Sequence, residues 1–186
     1  MYFDRSLKEY LDDLSARLPA PGGGSATALN AALGVSLISM VVNFTVGKAK
    51  YAKHEKELCQ ILEKSEKLRA EFLRLVDLDV TAYESKNLRN ALNVPLMLGR
   101  LCFEGIKLCP PLIKKGNRNL ISDVSCAAIL LESAFAGAVC NVEINLKFLK
   151  DNKLAKAVNK ELSQKEKKVK KIRQHTEERV GKIIRG

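Results

Sequence analysis

The chain contains no tryptophan, draws only 5 % of its residues from aromatics, and has two histidines, His54 and His175, in 186 residues. The first two shortages argue against a β-sheet core, which relies on aromatic and β-branched side chains. The many Ala and Leu suit packed helices instead. Scarce histidine counts against metal chemistry. Neither His has a Glu three residues before it or a second His on its helical face, so no metal is expected. The five cysteines, Cys59, Cys102, Cys109, Cys126 and Cys140, include no CxxC pair. Their odd number, with no signal peptide, points to a reducing cytoplasm and to thiols used as small core groups. From Ala26 to Gly47 no residue carries a charge.

What is present begins with charge. The formal net charge is +11, which resembles a nucleic-acid signal until it is located. From Leu146 to Gly186 there are 14 Lys and Arg against 5 Asp and Glu, leaving 18 against 16 for the whole body before them. The basicity belongs to one terminal segment, so no nucleic-acid groove is expected in the fold. At 46 % apolar, the length suits one domain with a substantial core. Residues 1–150 form that domain, with 151–186 as a basic amphipathic helix packed on it.

Periodicity gives an up-and-down bundle of five to six long helices. A short one is expected from Tyr2 to Arg17, with Leu7, Leu11, Leu14 and Leu18 along a stripe. Pro19-Ala20-Pro21-Gly22-Gly23-Gly24 then forms a turn, and Ser25 is placed to cap a second helix reaching about Val46. That helix is long enough to span a bilayer. Its small residues, the polar stripe of Ser36, Ser39 and Asn43, and the lack of a second comparable span read as a buried central helix rather than a membrane anchor. A third helix is expected from about Lys53 to Lys86. Pro95 is placed to open a fourth, and Pro110-Pro111 to close it. Leu112 to Ile121 reads as a connection. Ser122 caps a fifth helix to about Leu149, and Leu154 to Ile184 is the last.

Asp79 falls within the apolar stripe of Leu68, Phe72, Leu75, Val76 and Tyr83 on the third helix. A carboxylate there must be protonated, paired or hydrogen-bonded, and burial would move its pKa toward the range useful for proton transfer. A structural bond to a neighbouring helix is the alternative. Asp123 sits in the first turn of the fifth helix, where the dipole alone would favour it. Asn141 and Asn145 lie one turn apart on one apolar face, suited to bridging helices or to holding a ligand's amides. Asp123 and Asn141 are separated by roughly 27 Å of helix, so one helix cannot bring both to the same atom. The glycine turn ahead of a helix can hold an anion or admit a flat ligand, or simply connect two helices. Gly47-Lys48 lacks the upstream glycine of a phosphate-binding loop, and no nucleophile elbow is present.

Four blocks taken in order resemble the cyclodeaminase/cyclohydrolase family of one-carbon folate enzymes. They are Pro19-Ala20-Pro21-Gly22-Gly23-Gly24-Ser25-Ala26; Asn43-Phe44-Thr45-Val46-Gly47-Lys48 with Lys50-Tyr51; Asp79-Val80-Thr81-Ala82-Tyr83; and Gly116-Asn117-Arg118-Asn119-Leu120-Ile121-Ser122-Asp123 running on to Asn141-Val142-Glu143-Ile144-Asn145-Leu146. The resemblance implies an all-helical, dimeric domain that acts on the N5,N10 bridge of tetrahydrofolate, with the folate as substrate and no cofactor. It implies Asp79 and Asp123 as acid/base carboxylates and Lys48 on the folate's glutamate. Gly22, Gly23, Gly24, Ser25, Asn43, Tyr83, Asn117, Asn141 and Asn145 would contact the rest of the substrate. The stretch from Glu84 to Asn93, ahead of Val94-Pro95-Leu96, is shorter than in the family pattern. A helical bundle that binds a partner through its basic C-terminal helix is the alternative reading.

Overall fold

The computed structural model describes residues 1–186 and contains helices, turns and no strand. Five helices are long: α2 (Gly23–Asn43), α3 (Glu55–Glu84), α4 (Leu88–Ile106), α6 (Ile121–Leu149) and α7 (Asn152–Arg185). Two are short, α1 (Leu7–Ser15) and α5 (Cys109–Lys115), and 3-10 segments lie at Tyr2–Asp4, Ala49–His54 and Arg118–Leu120. The all-helical bundle read from periodicity is the observed architecture.

Uncharged α2 is the central post. It packs between α3 and α6, α6 packs in turn on α4 and α7, and the last helix also touches α4 and α5. Small residues let α2 and α6 approach closely. A Cβ at Gly34 would stand 2.9 Å from Leu131 Cγ. Where the two helices are not covered by neighbours, their apolar side chains face outward, including Leu33, Ile129 and Ile144. α6 is nearly as apolar as α2, so a second span of membrane-like composition does exist. Along α7, Val158, Leu162, Val169 and Val180 turn inward and the lysines outward.

Several boundaries differ from the sequence reading, each for a local reason. The first helix is confined to Leu7–Ser15, started by a Ser6–Glu9 capping box. Its leucine stripe is not its buried face: Leu7, Leu11 and Leu18 are exposed, and Tyr10 goes inward, edge-on to Tyr2. Asn87, not Pro95, begins the fourth helix, its side chain accepting from the N–H groups of Arg89 and Asn90. Pro95 lies inside that helix. Pro110 and Pro111 open α5 rather than closing α4, because the first turn of a helix has no use for their missing N–H. Ser122 is not the cap of α6, which runs on from the 3-10 turn with Leu120 at its N-cap. Cys102 and Cys109 are core groups, with burial pushing the Cys109 thiol up to about 12. Cys59, Cys126 and Cys140 are exposed.

Candidate functional site

The glycine turn, which includes a cis peptide between Ala20 and Pro21, delivers the chain to α2 with Gly22 at the N-cap. Glycine offers no side chain to the first N–H groups of a helix, which therefore need partners from elsewhere. One partner comes from α3: Ser25 donates its backbone N–H to Asp79 Oδ2 at 2.9 Å. Ser25 itself is not the cap. Its side chain is fully buried, and its hydroxyl shares a 3.1 Å hydrogen bond with that of Tyr10. Asp79 can lie this close only because residue 24 has no side chain. A Cβ at Gly24 would stand 2.1 Å from Asp79 Oδ1 and 2.6 Å from its Cγ.

Two forces act on this carboxylate. Burial holds its pKa above the ordinary value, while the Ser25 N–H pulls the other way; burial prevails. Asp77 is two residues away on the opposite side of α3, and accepts from the N–H groups of Tyr2 and Phe3. Only Asp79 faces a hollow. That hollow, about 310 Å³, lies between the start of α2, the end of α3 and the end of α6. Gly22, Gly23 and Gly24 line it with Asp79, Asn141 and Asn145, its flanks are Ala82, Ala91 and Ile144, and Tyr83 and Phe148 stand largely exposed at the mouth.

The polar groups around this hollow retain bonding capacity. Asn141 donates its amide to Gly137 O at 2.8 Å, and Asn145 donates to Ala91 O at 2.8 Å and to Asn141 O at 2.9 Å. Their side-chain oxygens take no donor from the chain, nor does Asp79 Oδ1, and the N–H groups of Gly23 and Gly24 find no acceptor. Donors and acceptors are therefore both on offer in a slot with no Lys or Arg in its lining. That pattern suits a flat heterocycle with N–H and C=O groups on its edge. A wider groove of about 670 Å³ between α3, α4 and α5 contains Lys64, Lys67 and Lys107. There Lys67 and Lys107 pair with Glu63 and Glu104.

The remaining sequence candidates lie at the other end of the bundle. Asn117 is buried where the α5–α6 connection meets the end of α2. Its N–H donates to Thr45 Oγ1 at 2.9 Å, its amide to Phe44 O at 3.1 Å, and its oxygen accepts from the N–H of Asn119. Thr45 passes its own hydroxyl to Val41 O, and Tyr51 accepts from the N–H of Arg118. Asn43 and Lys48 are exposed, and Asp123 is half-buried in the first turn of α6. Eighteen residues of α6, roughly 27 Å, separate Asp123 from Asn141. Within one chain, therefore, Asp123, Asn117, Asn43 and Lys48 do not join Asp79. Sequence reasoning missed Tyr10 and the Ala91 carbonyl. Tyr10 lies beside the leucine stripe, three residues from Leu7 and four from Leu14, and nothing in the spacing sets it apart.

A sequence model described as formiminotransferase-cyclodeaminase matches residues 6–86 and 85–164. The two matches meet where α3 turns into α4. A methenyltetrahydrofolate cyclohydrolase from Methylorubrum extorquens is 36 % identical over 182 residues, covering 86 % of this chain and 88 % of that protein. The formimidoyltransferase-cyclodeaminase of Rattus norvegicus is 31 % identical over 172 residues, covering 80 % of this chain, which spans about 32 % of that longer protein. The crystal structure of a formiminotetrahydrofolate cyclodeaminase from Thermotoga maritima superposes with a TM-score of 0.93 at 30 % identity, covering 99 % of this chain and 100 % of that one.

Proposed function

From the premise that the chain belongs to the formiminotransferase-cyclodeaminase family, we propose that it is a folate one-carbon enzyme acting on the N5,N10 bridge of tetrahydrofolate. Its reaction is either hydrolysis of a methenyl bridge or closure of a formimino group with loss of ammonia. The observation that carries the reading is Asp79. It is a half-buried carboxyl of raised pKa, fixed against a helix start and facing a slot with the bonding pattern of a pterin edge. No cofactor is invoked, and the folate is the substrate.

Hydrolysis requires a proton to leave the attacking water and one to reach N5 as the C–N5 bond breaks, leaving a formyl group on N10. Deamination requires N10 to lose its proton as it attacks the formimino carbon, and the departing amine to gain one. A single carboxyl of raised pKa can shuttle such a proton, since the rise makes its charged form a better base while its neutral form can still donate. Asp79 fills that role. The N–H groups of Gly23 and Gly24 with Asn141 and Asn145 orient the ring system, and Tyr83 flanks it.

The second carboxylate and the cation for the folate's glutamate come from a second copy. The exposed apolar face of α2 and α6 extends the length of the bundle between its two ends. A two-fold axis crossing the middle of that face sets the Asp79 end of one protomer beside the Asn117 end of its mate. Asp123 and Lys48 would reach the slot in this way, and Asn117 and Asn43 would shape its edge.

The test is spectrophotometric turnover of methenyl- and formimino-tetrahydrofolate, side by side, by the native protein and by Asp79→Asn. One substrate should be consumed by the native protein, and the variant should lose about 10² to 10⁴ in kcat while keeping its helix content by circular dichroism. An inert native protein that also shows no thermal shift with folate would overturn the reading.

A further inference from the structure

Pro95 lies eight residues into α4, where proline is normally destructive. It lacks the N–H that would bond the carbonyl four residues earlier, and its ring pushes that carbonyl aside. The carbonyl in question belongs to Ala91, which lines the slot. It is not left bare: Asn145 donates to it from α6 at 2.8 Å. The second amide hydrogen of Asn145 goes to Asn141 O at 2.9 Å. An asparagine on a helix can ordinarily present either its oxygen or its nitrogen to a ligand. Here both donors are committed, and the oxygen is the one polar atom that this side chain has left for the slot.

We infer that Pro95 is a positioning residue for Asn145, locking it as an obligate acceptor that selects ligands presenting a ring N–H at that point of the slot. This rests on the folate reading only for the ligand's identity; the lock is a property of the chain. A reduced pterin supplies such N–H groups on its pyrimidine and pyrazine rings. A heterocycle with a bare ring nitrogen in the same place would set two acceptors face to face and be rejected. The proline thus makes specificity out of a broken helix bond. Replacing it with alanine should mend α4 and blunt recognition together.

The lock is tested first without ligand. In a double-mutant cycle, Asn145→Ala is measured by melting temperature in the native background and in Pro95→Ala. It should lower the melting temperature clearly when Pro95 is present, and barely when the substituted alanine supplies its own N–H to the Ala91 carbonyl. Equal effects in both backgrounds would overturn the proposal. Should Pro95→Ala collapse the buried packing, Pro95→Val keeps apolar bulk and also restores the N–H.

Recognition is tested by calorimetry with 5-formyltetrahydrofolate and by steady-state turnover. Pro95→Ala should weaken binding and raise KM about tenfold, the worth of one hydrogen bond, with kcat within about twofold because Asp79 is untouched. Unchanged KM and affinity would sink the selective role. If the native protein binds no folate at all, the folate reading falls, and the ligand-free cycle still decides whether Pro95 locks Asn145.

Discussion

The two ends of the bundle contain equally family-like residues and use them in opposite ways. At the Asn117 end the polar groups consume one another: Asn117 bonds Thr45, Phe44 and Asn119, and Tyr51 takes the N–H of Arg118, tying the end of α2 and the turn after it to the α5–α6 connection. At the Asp79 end they do not. Asp79 Oδ1, the oxygens of Asn141 and Asn145 and two helix-start N–H groups are left over around a hollow. None of these side-chain oxygens is sealed off from solvent, so each is open to a ligand's donors in place of water's. Unspent hydrogen bonding therefore separates a ligand site from a clasp where motif matching does not. On the proposed function, the clasp would affect chemistry only through the neighbouring Lys48 and Asp123.

The largest effect that could break this contrast is complementation between subunits. Asp79→Asn and Asp123→Asn homodimers should each lose about 10² to 10⁴ in turnover. Mixed one to one through a cycle of dissociation and reassembly, half of the dimers carry both substitutions on separate chains and keep one intact site. About a quarter of native activity should return. If Asp123→Asn is fully active alone, or mixing restores nothing, the trans arrangement is wrong. Next in size is Gly24→Ala, whose new methyl collides with the Asp79 carboxylate. Turnover should fall about 100-fold by the same loss of proton transfer, with the helix content by circular dichroism unchanged. Near-native kcat would show that Asp79 need not lie against the start of α2.

Much of the architecture was legible because long helices announce themselves by periodicity. Asp79, Asn141 and Asn145 stood out because polar residues on apolar stripes demand partners. What was not legible depended on distant partners. The cap of α2 comes from Asp79 and the compensation for Pro95 comes from Asn145, each bond joining residues 54 apart in sequence. Local rules therefore assigned the cap to Ser25 and read Pro95 as a helix start. The same rules took Pro110-Pro111 as a terminator, although proline fits equally well in the first turn of α5. Likewise Asn117 and Asp123 looked like site residues because the motif containing them is contiguous. Only three dimensions show that one is committed to the fold and the other a helix length away.

A smaller effect sharpens the contrast through stability. Asn117→Ala leaves the Phe44 carbonyl, the Asn119 N–H and a small cavity without partners, which should cost about 2–3 kcal/mol in urea unfolding. Asn141→Ala removes one amide bond to a carbonyl of its own helix and should cost less than about 1 kcal/mol, while weakening 5-formyltetrahydrofolate binding several-fold. If the two losses of stability were equal, the division into clasp and site would not hold.

The smallest effect is a pH slope. Because burial raises the Asp79 pKa, the folded protein binds that proton more tightly than the unfolded chain. Across the window from the ordinary carboxylate range up to the raised value, the native state therefore retains more protons, and stability must fall as pH rises. One proton allows at most about 1.4 kcal/mol per pH unit, and the Ser25 N–H, which favours the charged form, keeps the slope below that ceiling. Asp79→Asn can still accept from Ser25 through its amide oxygen but has nothing to titrate. Urea unfolding at several pH values across the weakly acidic range should show native stability declining relative to the variant, with the two curves parallel once Asp79 is fully ionised. A native protein that instead gained stability over the variant with rising pH would mean that the helix start, rather than desolvation, governs this carboxyl, and a group so strongly held in its charged form could not act as an acid.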